Sequence, residues 1–246
     1  MPVNLVIDIG NTRTKLALFN DFDLMFNVPI DELKPEQVIM LQEEHPLLNR
    51  AILSSVKEYN PQLRELLASS FETFIELDHT TPIPITNCYS TPETLGKDRL
   101  AAAVGANELF PNQNLLVIDA GTAITFDFVS AQNEYLGGNI SPGKEMRLKA
   151  LHHFTGKLPL VKASDEFKLI GTTTESAILA GVMHGIIFEI DQYIDFFKEN
   201  FENLKVVMTG GDSNLFDKKL KNSIFVHFNL TLIGLNRILE YNVSKK

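Results

Sequence analysis

A chain of 246 residues, 44% hydrophobic and 22% charged, can hold one large globular domain or two of roughly 120 residues each. Its 31 acidic against 22 basic residues give a formal charge of −9, which argues against nucleic acid as a partner. No apolar run reaches the ~20 residues of a membrane span, the opening MPVNLVIDIG lacks the basic start of a signal peptide, and a lone Cys88 fits a reducing, cytoplasmic setting.

Taken in chain order, NLVIDIGNT (4–12) predicts a buried strand that ends near Asp8 and turns at Gly10. KLALFN (15–20) and DLMFNV (23–28) continue as a meander, and PEQVIMLQEE (35–44) opens a helix on proline. AILSSV (51–56) is a strand, NPQLRELLASS (60–70) a helix capped by Asn60, and FETFIEL (71–77) an alternating strand. DRLAAAVGANELF (98–110) reads as an alanine-rich helix.

The second half repeats this order. Strands are predicted at 114–118, 123–130 and 134–136, and helices at about 143–154, 174–200 and 230–242. KVVMTGG (205–211) is a strand that runs into a glycine turn. NLLVIDAGT (114–122) restates NLVIDIGNT, with Asp119 standing 111 residues after Asp8, near half the chain. Two equivalent α/β domains with mixed sheets, 1–112 and 113–246, with a cleft between them, account for the repeat.

Each repeat carries chemistry suited to phosphate. Gly10 lets backbone approach an anion closely, Asn11 and Thr12 add neutral donors, and a carboxylate at Asp8 suits hydrated Mg²⁺. An Asx-type turn at Asp8 is the competing structural account. Asp119-Ala-Gly-Thr122 forms the matching loop, and Thr209-Gly-Gly211-Asp212 offers backbone against which a base or ribose could lie. Neither Gly-x-x-x-x-Gly-Lys nor a helix-opening Gly-x-Gly-x-x-Gly is present. Alone, Asp98 reads as a helix N-cap and Arg99 as a solvated arginine. His152 and His153, adjacent on a helix, read as surface or core residues.

The ordered set Asp8-x-Gly-Asn-Thr12, Gly96-Lys-Asp-Arg99, Asp119-x-Gly-Thr122, Leu136-Gly-Gly138 with Ser141-Pro-Gly143, and Thr209-Gly-Gly211 resembles type III pantothenate kinases, from residue 4 to about 242. That resemblance implies a duplicated actin-like ATPase (ribonuclease H-like) fold of the acetate and sugar kinase superfamily. It implies phosphorylation of pantothenate with ATP, Mg²⁺ and a monovalent cation, K⁺ or NH₄⁺, in a homodimer. Asp8, Ile9, Gly10, Asn11, Thr12, Arg13, Thr14 and Lys15 would form the first phosphate loop, and Thr122 would contact ATP. Asp119 would hold the monovalent cation, while Tyr89, Gly96, Lys97, Asp98, Arg99 and Thr174 would bind pantothenate. Asp98 would be the catalytic base.

Lys97 stands where relatives more often carry a small residue, and Arg13 and Lys15 add charge to the first loop. The small residues Ala177, Gly181 and Gly185, four apart after Thr174, form a helix face suited to close packing, within the chain or near a dimer contact. The competing functions are another small-molecule kinase of the superfamily, or a nucleotide-binding regulator of the same fold without kinase activity.

Overall fold

The structure, a computed structural model, describes residues 2–245. The chain divides into two compact units. The first comprises residues up to Asn112, Val129–Gly137 and the segment from Asn229; the second comprises Gln113–Phe128 and Gly138–Phe228. Elements before the boundary are β1 (Val3–Ile9), β2 (Thr14–Asn20), β3 (Asp23–Ile30), α1 (Pro35–Glu44), β4 (Leu48–Ser55), α2 (Pro61–Ser70), β5 (Thr73–Glu76), β6 (Thr86–Asn87) and α3 (Lys97–Leu109). After it come β7 (Leu115–Ala120), β8 (Ala123–Val129), β9 (Glu134–Pro142), α4 (Lys144–His153), α5 (Thr174–Asn200), β10 (Lys205–Thr209), α6 (Ser213–Asp217), β11 (Phe225–Val226) and α7 (Leu230–Val243).

In the first unit the sheet order is β3-β2-β1-β4-β5. The β1–β2–β3 meander is antiparallel, while β4 and β5 join in parallel through helical crossovers. All seven residues of β1 are buried, so both faces of the sheet are covered. Leu5, Ile7 and Ile9 enter a core with Leu16, Leu18, Leu53, Val38 and Leu67, each side chain adding about 1.5–3 kcal/mol by leaving water. Strand alternation turns Asn4, Val6 and Asp8 to the opposite face, where Asn4 donates to Asn236 of α7. Helix α7 belongs to this unit and approaches α3 closely at two glycines. A Cβ on Gly234 would lie 1.8 Å from the Ala101 carbonyl oxygen, and one on Gly105 2.2 Å from that of Leu230. The alanine-rich sequence of α3 serves this close approach.

In the second unit the corresponding strands follow the order β9-β8-β7-β10-β11. Position by position this is the first unit's order, so the duplication legible in the two Asp-x-Gly turns extends to whole-sheet topology. Strand β9 is longer than the predicted 134–136, since Gly138 lets its backbone lie against β8. A Cβ there would fall 2.1 Å from the Phe126 carbonyl oxygen. Elements β6, α6 and β11, two to five residues long, are too short to show a hydrophobic period.

Helix α5, among the described residues, is the one element long and apolar enough to cross a membrane by length and composition. Its buried face carries Ile178, Val182, Met183, Ile186, Ile190 and Ile194 into the second core, against Leu116, Ile118 and Phe126. Packing accounts for its hydropathy.

Candidate active site

In the first unit β1 delivers Asp8 into the sheet's covered face, with Lys15 opposite on β2 and Ser54 on β4. Beyond it the Gly10 N–H donates to the Arg13 carbonyl at 3.1 Å, closing a turn that leaves Asn11, Thr12 and Arg13 exposed. Asp8 is only 7% exposed, and its Oδ1 is buried without a hydrogen-bond partner. Burial pushes its carboxyl up to about 6 from 3.8; the charge of Asp98 adds to the rise and that of Lys15 opposes it. An Asx turn would have occupied that oxygen. A buried acceptor left open is costly, and a hydrated cation is the chemistry that fits it.

Asp98 is the second residue of α3, whose N-cap is Gly96, so the N-cap reading of Asp98 does not hold. Its Oδ1 accepts from the Arg99 N–H at 2.9 Å. A Cβ on Gly96 would stand 2.6 Å from that oxygen, so glycine leaves room for the carboxylate. Lys97, beside it, is half-buried at the first helical position. Arg99 is not a solvated arginine. It is 6% exposed, with its guanidinium 5.8 Å from the centroid of the Tyr89 ring.

Tyr89 is held by its N–H donating to Asn87 Oδ1 at 3.0 Å and by a tilted contact with buried Tyr135. Gly137, at φ +116°, passes under its ring; a Cβ would meet Cδ2 at 3.4 Å. Asp98, Arg99 and Tyr89 thus stand together in the first unit, and the charge of Asp98 is felt at Asp8.

In the second unit three loops converge. The β7–β8 turn is two residues shorter than the β1–β2 turn, with the Gly121 N–H donating to Ala123 O at 3.0 Å. Asp119 lies opposite Thr209 of β10. Gly210, at φ +96°, brings the β10–α6 turn against it: a Cβ would fall 2.4 Å from Asp119 Oδ1 and 2.3 Å from Ala120 O. The Gly143 N–H, at the β9–α4 junction, donates to Thr122 O at 3.1 Å. Lys144 and Asp212 form an ion pair between the second and third loops. Neither residue drew a role from the sequence, although the Ser141-Pro-Gly143 motif stops one residue short of Lys144 and the double glycine runs straight into Asp212.

Thr174 is the exposed first residue of α5; Thr173 is the N-cap, accepting from the Ser176 N–H at 3.2 Å. With Pro142 and Arg147 it lines a groove of about 1080 Å³ between α4 and α5, whose apolar walls include Met146, Phe154 and Gly181. Arg147 is fixed there by Pro142 O, Ser141 Oγ and an ion pair with Glu189. The predicted small-residue face is open: Ala177 and Gly181 are exposed, and nothing lies within 4 Å of a Cβ built on Gly181. His152 and His153 are exposed, and His152 Nδ1 lies 2.8 Å from Leu158 O.

Comparison with known proteins identifies the family. The family model described as type III pantothenate kinase matches residues 4–195. A type III pantothenate kinase of Phocaeicola vulgatus is 48% identical over 240 residues, covering 98% of this chain and 99% of its own. One from Christiangramia forsetii is 45% identical over 244 residues, covering 99% and 100%. Among solved structures, a Campylobacter jejuni protein assigned to the Baf family of transcriptional activators superposes with a TM-score of 0.62 at 24% identity, covering 98% of this chain and 99% of its own. Component A of (R)-2-hydroxyglutaryl-CoA dehydratase from Acidaminococcus fermentans gives 0.54 at 15%, covering 100% of both. At such identities these two carry the fold alone, that of the duplicated actin-like ATPases. The match over most of the chain and the identity to full-length relatives establish more: the chain belongs to the type III pantothenate kinase family.

Proposed function

We propose that this protein transfers the γ-phosphoryl group of ATP to the primary hydroxyl of pantothenate, giving 4′-phosphopantothenate at the first step of coenzyme A synthesis. Beside the family membership, the observation that carries this reading is the Asp8–Asp98 pair. One carboxylate is buried with an unpartnered oxygen at the root of a glycine turn; the other, on a helix start, is near enough for its charge to raise the first. Phosphoryl transfer needs both, one to hold the charge of the phosphates' counter-ion and one to handle the acceptor's proton.

The Gly10–Arg13 turn and Lys15 hold the triphosphate, and Thr122 contacts ATP. Magnesium, when bound, neutralises phosphate charge, with Asp8 holding it through water. Asp98 accepts the hydroxyl proton as the new P–O bond forms and the bond to the ADP oxygen breaks. Tyr89, Gly96, Lys97, Arg99 and Thr174 bind pantothenate, with buried Arg99 aimed at its carboxylate. Asp119, crowded by the Gly210 backbone, holds K⁺ or NH₄⁺.

The working unit is a cytoplasmic homodimer in which the α4–α5 groove takes a second copy. Exposed Met146 and Phe154 beside the bare backbone at Gly181 support that reading. Purified protein given ATP, pantothenate, Mg²⁺ and K⁺ should release ADP only when all four are present. ADP release indifferent to pantothenate, or none from folded dimer, would refute the kinase reading.

A further inference from the structure

The three loops of the second unit are joined in a ring. The first side is the Gly143 N–H on Thr122 O at 3.1 Å, and the next is the Asp212 N–H on Ala120 O at 2.9 Å. Both are backbone contacts, made possible by glycine at 143 and 210, where a Cβ would fall 2.2 Å from Gly121 O and 2.3 Å from Ala120 O. The third side, from the β9–α4 junction to the β10–α6 turn, is made by side chains: the Lys144–Asp212 ion pair, each partner less than a fifth exposed.

Each partner is placed against its own helix's preference. Lys144 is the first residue of α4, where the positive end of the helix dipole disfavours a cation. Asp212 occupies the N-cap of α6, where aspartate ordinarily accepts a helix N–H, yet its side chain makes no such bond. Two local rules are broken and one contact reconciles them, a pattern that marks functional rather than structural choice. The pair also fixes the Gly210-Gly211 backbone, whose φ of +96° at Gly210 holds it tight against Ala120 and Asp119.

We propose that Lys144 and Asp212 are a positioning pair for the nucleotide. By locking the double-glycine turn onto the Gly143 junction, the pair sets the distance between that turn and Thr122, so ATP meets a preformed edge. This inference rests on the kinase reading above, and concerns ATP and not pantothenate.

Steady-state kinetics separate the two substrates. Lys144→Met and Asp212→Asn should each raise the KM for ATP about tenfold, equivalent to ~1.4 kcal/mol. The KM for pantothenate should stay within twofold and kcat within threefold. Lys144→Arg, which can keep the pair, should restore the ATP KM to within threefold of wild type. The Lys144→Met/Asp212→Asn double variant should be no worse than the poorer single variant, because all remove one contact. It also leaves no unpaired charge, and is the variant to read if a single one does not fold.

A merely structural role would lower the active fraction or shift both KM values in parallel. Either result, or an ATP KM within twofold of wild type in the double variant, overturns the proposal. Wild-type protein without turnover would overturn the kinase reading itself, and the pair's role with it. Wild-type turnover with unmoved ATP kinetics in the variants would overturn the pair's role alone.

Discussion

Replacing Asp8 with asparagine should make the free protein more stable and at the same time inactive. The carboxyl is raised from 3.8 to about 6, chiefly by burial and further by Asp98. The folded state therefore binds this proton more tightly than the unfolded state does. The stability this confers is complete below pH 3.8, is lost as the pH rises through about 6, and changes no further above that. Across the window the loss amounts to about 3 kcal/mol. Asparagine carries no charge and escapes it.

A chain of this length shifts in Tm by roughly 2–4 °C per kcal/mol. At pH 7.5, without nucleotide or magnesium, Asp8→Asn should therefore melt about 6–12 °C above wild type, and the gap should close towards pH 4. Thermal melts at half-unit pH steps, with a chelator present, measure this directly. Titrations common to both proteins cancel in the difference. Magnesium and ATP should then raise the wild-type Tm and leave that of the variant unmoved. A Tm gap independent of pH between 4 and 7.5 would refute the account of Asp8 as a desolvated charge kept for function.

Three further outcomes are expected. Asp98→Asn should lower kcat by about 10²–10⁴, the range for losing a general base, with the KM for ATP unchanged in a coupled ADP-release assay. Activity should be very low in sodium or tetraalkylammonium salts at fixed ionic strength and be restored by potassium or ammonium, and Asp119→Ala should abolish that restoration. Gly181→Leu should sediment as a monomer and raise the KM for pantothenate more than that for ATP. Since nothing lies within 4 Å of a Cβ at Gly181, its protomer should melt no lower than wild type.

The parts of the fold that follow from local pattern were legible in the sequence. Asn60-Pro61 caps and opens α2 as read, with Asn60 Oδ1 accepting from the Gln62 N–H, and Pro35 opens α1. The repeated Asp-x-Gly turns announced a duplicated sheet. What stayed hidden depends on contacts between distant residues. The attachment of α7 to α3 rests on Gly105 and Gly234, which in sequence are only helix-weakening glycines. The burial of Arg99 needs Tyr89 above it, and composition gives no hint that an arginine beside an aspartate is inside. Lys144 and Asp212 each look misplaced until the other is seen.

The two halves share a topology, yet their turns have diverged in a way that matches a division of labour. In the first unit the turn after the central strand is longer by two residues, so Asn11, Thr12 and Arg13 project into solvent, where phosphates can be gripped from several sides. Its aspartate is buried, unpartnered at one oxygen, and raised in pKa by that burial and by the charge of Asp98. In the second unit the turn is trimmed to Gly121-Thr122 and is packed by backbone from both neighbouring loops, at Gly143 and at Gly210. That turn has little freedom to rearrange around a ligand. A rigid edge for the nucleotide and an exposed turn for its phosphates are the complementary demands that the proposed kinase reading makes on the two turns. One duplicated strand-turn-strand unit meets both by a difference of two residues in loop length and by what presses on each aspartate.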